Sequence, residues 1–132
     1  MGQVKEIIVG VVKRGDKFLI LHRKPDKKFD PDKWEFVSGF IKVKDNLKEF
    51  TENQINYETG LNVKFIKSGR DFSVNDEYGE WLIHPFLFEA HFGEIVLQPE
   101  DHSLYKWVSP KDLKLYPTVK DLNKNLQLLD LL

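Results

Sequence analysis

Gln54, Tyr57 and Glu58 lie three and four residues apart, and within a helix that spacing places them around one turn on one side. The residues on either side specify such a helix. Asp45 or Asn46 can cap its start, and Asn46 with Glu49 three residues on has the pattern of a capping box. Gly60 stands where a left-handed terminating residue belongs, with Leu61 after it for the apolar contact. The spacing therefore predicts a helix over 46–59. Leu47, Phe50 and Ile55 give it an apolar arc, and Gln54 and Glu58 fall near the middle of that arc. Polar groups on an inward face need partners. Two arrangements supply them: a ligand held at Gln54 and Glu58, or hydrogen bonds from both side chains to the preceding loop, which they would then brace.

Other chemistry-bearing residues are dispersed. His22, His84, His91 and His102 show no metal-ligand spacing between any two, and they read as structural or solvent-facing. Arg23 follows a predicted strand, where it is either surface decoration or an anion contact. Asp76, Glu77 and Glu80 form an acidic loop, read as solvated. Trp34, Phe36, Phe72, Trp81 and Trp107 offer surfaces on which a ring could stack, although aromatics on strands usually serve the core. No serine-nucleophile motif, P-loop or dinucleotide fingerprint is present.

The elements that must position these residues read as strands around that helix. Val4–Lys13 is rich in β-branched residues, and Arg14-Gly15-Asp16 turns it into a second strand, Lys17–His22. Lys24–Asp32, with two prolines and many charges, is a loop. Lys33–Phe40 is a short strand with Trp34 and Phe36 on one side. Asn62–Phe72 is extended, and a loop follows from Ser73 to Tyr78. Glu80–Phe92 is a long strand whose Pro85 argues for an edge position or a bulge. After Gly93 come Glu94–Gln98 and a strand over Leu104–Val108. Ser109-Pro110 opens a short helix over Lys111–Leu115. Thr118 caps a last helix in which Val119, Leu122, Leu126, Leu129 and Leu132 recur at helical spacing. Strands around one helix, with another at the C-terminus, imply a mixed sheet packed between helices in one domain spanning 1–132.

At 132 residues, with 41% hydrophobic and 13% aromatic content, the chain can bury a core and is not of disordered composition. Its 20 basic and 21 acidic residues give no bulk drive toward nucleic acid or a membrane surface. With no cysteine, disulfides and thiol catalysis are excluded, which fits a cytoplasmic protein. No stretch approaches the ~18–20 apolar residues of a membrane span, and the N-terminus lacks a signal-peptide pattern. Homodimer formation is left open.

From Gly39 to Leu61 the chain reads GFIKVKDNLKEFTENQINYETGL, and it resembles the signature of the Nudix family, G-x5-E-x7-R-E-U-x-E-E-x-G-U with U aliphatic. Gly39, Ile55, Glu58, Gly60 and Leu61 match, and Asp45 is a shortened match to the first glutamate. Asn53 takes the arginine position, Gln54 the next glutamate, and Tyr57 the first of the paired glutamates. The approach Lys33-Trp34-Glu35-Phe36 and the closing EDHSLYKWVSPKDL, residues 100–113, look like the family's as well. Two departures lie in these flanks. Val37-Ser38-Gly39 stands for the usual Pro-Gly-Gly turn, and Leu104 for a further glutamate.

The resemblance implies an α/β (α+β) fold, a mixed β-sheet sandwiched between α-helices. It implies a magnesium-dependent hydrolase of nucleoside diphosphate derivatives where the box carboxylates are present, the ion neutralising phosphate charge and acidifying an attacking water. Glu58 is then the one box position left as a metal ligand, with Mg²⁺ bound weakly or not at all. Arg23, Phe36, Gly39 and Gln54 are the candidate ligand contacts, Arg23 where members often contact a substrate phosphate, and no catalytic residue is assigned. The expected function is binding of a nucleotide-like or other phosphorylated small ligand, or of a partner protein, with little or no hydrolysis. Two alternatives are an active hydrolase with a rebuilt metal site and an RNA-binding or complex-forming module. The even charge balance argues against nucleic acid.

Overall fold

The computed structural model describes residues 4–42 and 44–132. Among these described residues eight strands form one sheet: β1 (Lys5–Arg14), β2 (Lys17–Arg23), β3 (Trp34–Glu35), β4 (Val37–Phe40), β5 (Lys64–Ser68), β6 (Phe72–Asp76), β7 (Gly79–Glu89) and β8 (His102–Val108). Helix α1 spans Leu47–Thr59 and α2 spans Leu122–Leu128, with a 3-10 helix over Pro110–Leu115. Along one edge β1 runs parallel to β7, from Lys5↔Trp81 to Lys13↔Glu89. Its other edge is shared. Ile7–Gly10 pair with β4, and Lys13–Arg14 pair with β2. The strands part beyond Gly10, and the candidate site is the opening between them.

Alternation along β1 assigns the two faces. Val9 and Val11 point to a core with Phe36, Trp81, Leu122, Leu126 and Leu129, and Ile8 and Val12 to one with Ile55, Leu61 and Phe88. The sheet thus lies between α2 on one side and α1 on the other, the mixed α+β sandwich expected from the sequence. No helix of the described residues is long and apolar enough to cross a membrane.

Helix α1 carries both predicted caps. The Asn46 side chain accepts from the Glu49 amide and donates to the Glu49 carboxylate, and Gly60 adopts a left-handed φ of 75° while its N–H reaches Asn56 O at 2.8 Å. Its buried face is less apolar than the sequence suggests, since Thr51 and Thr59 bury beside Ile55 and Glu58. Each threonine hydroxyl bonds back to a carbonyl one turn earlier, at 2.7 Å. The absence of a side chain at Gly10 lets α1 come this close. A Cβ there would meet Ile55 Cδ1 at 2.8 Å and Thr51 Cγ2 at 3.0 Å. Gly10→Ala should cost about 1–2 kcal/mol through overpacking, and urea unfolding with no loss of stability would refute this account of the close approach.

Several boundaries differ from the sequence reading. Lys33–Phe40 is two strands, because the chain crosses at Phe36 from the β2 edge to the β1 edge. The expected loop at Ser73–Tyr78 is mostly strand β6, paired with β7 from Phe72↔Ile83 to Asp76↔Gly79. Pro85 lies in the sheet interior rather than on an edge. Its carbonyl accepts from Gly69 N at 2.9 Å, so its missing N–H faces the same side, where β5 has ended and β6 has not begun. Glu94–Gln98 is irregular, and the helix expected at Lys111–Leu115 is 3-10. Thr118 does not cap α2. It bridges to Trp34, Asp121 takes the N-cap place without a side-chain capping bond to a backbone amide, and Leu132 is exposed.

Candidate functional site

The strand parting opens a cavity of about 530 Å³. Arg23, Phe36, Gly39, Gln54 and Glu58, the five positions singled out in the sequence, all line it. Each arrives from a different constraint. Arg23 ends β2, and the following loop closes back on it through Arg23 N to Lys33 O (2.8 Å) and Asp32 N to Arg23 O (3.2 Å). Phe36 is 2% exposed and packs edge-on against Phe18, 6.3 Å between centroids, so most of its ring serves the core. Gly39 in β4 lies under Gln54, whose Cδ would be 3.1 Å from a Cβ placed there. Among the described residues neither Gln54 nor Glu58 makes a hydrogen bond to the backbone of the preceding loop, so the bracing arrangement is absent there.

The centre of polar chemistry is a residue that the sequence reading passed over. Glu35, in β3 opposite Leu21, is buried. It accepts from Arg23 Nη1 at 3.0 Å to each oxygen, from Ser38 Oγ at 3.3 Å, and meets His102 Nε2 at 2.8 Å. Arg23 donates its Nε to Phe29 O at 2.8 Å, so much of its guanidinium is engaged inside the protein. His102, read from the sequence as structural or solvent-facing, is 3% exposed, and its Nδ1 lies 3.5 Å from Glu58 Oε1. The segment before it is fastened to α1 by Val96 N to Thr59 O (2.8 Å) and Gln98 Nε2 to Tyr57 O (3.0 Å). Gln98 O then takes the amides of Asp101 and His102. A Trp-Glu pair on a strand and a histidine opening β8 carry no local mark of this meeting, because the glutamate and the histidine are 67 residues apart.

Glu58 is the unsettled member. Among the described residues its Oε2 is buried without a hydrogen-bond partner, as is His102 Nδ1. Burial pushes its carboxyl up to about 7, opposed by the charge of His102 and reinforced by that of Glu35. A carboxyl titrating near neutrality in a cavity wall can accept a proton from a bound group or return one. Tyr57, in the neighbouring box position, is 54% exposed at the cavity rim.

The other end of the cavity is aromatic and acidic. Phe29 packs edge-on to Trp81 at 5.1 Å, and Phe40 lies 5.9 Å from Trp81. Lys5 donates to Tyr78 O and sits 5.1 Å over the Trp81 ring. Asp76, read as a solvated loop acid, accepts from Trp81 Nε1 at 2.9 Å and from Tyr78 N at 2.8 Å. Asp121 is pushed up to about 6, chiefly by burial. Asp30 is raised by burial and by Asp76.

Comparison with known proteins agrees with this architecture. The family model described as NUDIX domain matches residues 4–129. An 8-oxo-dGTP diphosphatase of Buchnera aphidicola subsp. Schizaphis graminum is 27% identical over 110 residues, covering 83% of this chain and 81% of that protein. The crystal structure of MutT protein from Methanosarcina mazei Go1 superimposes with a TM-score of 0.79 at 18% identity, covering 96% of this chain and 93% of that one. The NUDIX domain of Shewanella oneidensis NrtR complexed with ADP ribose gives a TM-score of 0.81 at 15% identity, covering 98% and 88%. With the family model spanning residues 4–129 and the capped α1 frame lying against the parted strands, the chain belongs to the Nudix family.

Proposed function

We propose that this Nudix-fold chain binds a nucleotide-like, phosphate-bearing ligand in the cavity and hydrolyses it little or not at all. The observation that carries the reading is the face of α1 that meets the cavity, where Gln54 and Tyr57 stand in two of the three box carboxylate positions and Glu58 faces a buried histidine. The cavity is of ligand size. Phe29, Phe40 and Trp81 offer a wall for a planar ring. Lys42 and Lys120, which make no ion pair among the described residues, supply cations for phosphate, with the already paired Arg23 and Lys27 beside them. The Buchnera relative's name and the ADP ribose held by the Shewanella domain support a nucleotide as the ligand class.

A metal-dependent hydrolase is the second reading, favoured by the name of the same relative. Metal ions contribute several kcal/mol to such reactions, and each 1.36 kcal/mol is tenfold in rate, so the two readings differ by orders of magnitude in turnover. The test is product release from 8-oxo-dGTP, dGTP and ADP ribose with Mg²⁺ or Mn²⁺, beside calorimetric binding. Binding without appreciable product is expected. Gln54→Glu with Tyr57→Glu should improve metal binding, with a small gain in rate because Asn53 and Val37-Ser38 keep the rest of the frame altered. Robust wild-type turnover that disappears in Glu58→Gln would replace the binding reading with the hydrolase.

A further inference from the structure

The carboxylates on the α1 side of the cavity already have cationic neighbours within the chain. Glu35 holds Arg23 and His102, Asp101 takes Lys27 Nζ at 2.6 Å, and Glu58 Oε1 faces His102 Nδ1. His102 stands with one carboxylate at each ring nitrogen. Among the described residues no three His, Asp or Glu side chains come together in a way that would hold a metal ion. Magnesium demands near-octahedral oxygen ligands and gives up its waters reluctantly. One carboxylate set against a histidine, beside an amide and a half-exposed phenol, does not meet that demand. The fold family's metal and this donor set do not fit.

Side-chain cations are present instead. Arg23, Lys27, Lys42 and Lys120 line the cavity, and the last two are exposed and make no ion pair among the described residues. An ammonium group binds phosphate as a point charge, and a free diphosphate presents more charge to it than the same group neutralised by Mg²⁺.

Resting on the binding reading above, we propose that the cavity holds its phosphate-bearing ligand without a divalent cation. Lys42 and Lys120 neutralise the phosphates, and the His102 ring occupies the side of Glu58 Oε1 that an ion would need. Calorimetric titration of the intact protein with dGDP, once in excess EDTA and once in excess Mg²⁺, tests this. The dissociation constant in EDTA should equal that in Mg²⁺ or be smaller. Lys42→Gln with Lys120→Gln, both exposed and harmless to folding, should weaken dGDP in EDTA by about tenfold, the loss of two charge-assisted contacts. Binding in Mg²⁺ that vanishes in EDTA overturns the proposal and leaves the binding reading standing. Unchanged affinity of the double variant in EDTA also overturns it. No binding in either buffer overturns both.

Discussion

Glu35→Ala is expected to be the most damaging single substitution in the cavity wall, costing about 3–5 kcal/mol. The magnitude follows from what it strands. Arg23, with its side chain 16% exposed, loses its carboxylate, and His102, 3% exposed, loses the one at Nε2; removing one partner of a buried ion pair leaves an uncompensated charge. At this chain length a loss of that size should lower the unfolding midpoint by roughly 10 °C or more. The Lys27–Asp101 pair gives the contrast. It is shorter, at 2.6 Å, but both side chains are near 30% exposed, so Lys27→Ala should cost less than about 1 kcal/mol. Burial, not bond length, sets the difference. Thermal unfolding of the two variants side by side decides the matter, and a Glu35→Ala protein within about 1 kcal/mol of wild type would mean that the network is not structural.

The same network shows what could be read from the sequence and what could not. Local chemistry was legible. Asn46, Glu49 and Gly60 act within a few residues of one another, so the caps of α1 follow from their order alone. Helical spacing likewise put Gln54 and Glu58 on one face, and the cavity lies against it. Pairing between distant segments was not legible. Nothing within Lys33–Phe40 shows that Trp34-Glu35 joins β2 while Val37–Phe40 joins β1. Asn75 and Asp76 look like turn residues, yet alternation of Phe72 and Val74 opposite β7 carries the strand through them. Glu35 was hidden for the same reason: the arginine and histidine it meets lie 12 and 67 residues away. The family frame pointed through α1 to one wall of the cavity, but the residue at the centre of the polar contacts there sits on a two-residue strand.

Glu58 should make stability fall with rising pH. Its carboxyl moves from 4.5 to about 7 on folding, because burial disfavours the charged form more than His102 favours it. A raised folded pKa means that the group's favourable share is fully present below the unfolded value near 4.5. That share is lost as pH rises through about 7. At 1.36 kcal/mol per unit, the loss approaches about 3 kcal/mol by pH 8. Glu58→Gln keeps the shape of the protonated acid and cannot ionise. The variant should match wild type near pH 4.5 and exceed it by up to about 3 kcal/mol at pH 8. Urea midpoints across this range give the comparison, and a difference that stays flat with pH would show that the carboxylate is satisfied in the fold. Repeating the pH 8 measurement with Mg²⁺ ties the result to function. A ligand that binds only the native state stabilises it by mass action, so a resident metal at Glu58 would raise the wild type and leave the variant unmoved. With His102 Nδ1 set against Glu58 Oε1 in place of an ion, the two should keep their spacing whether or not Mg²⁺ is added.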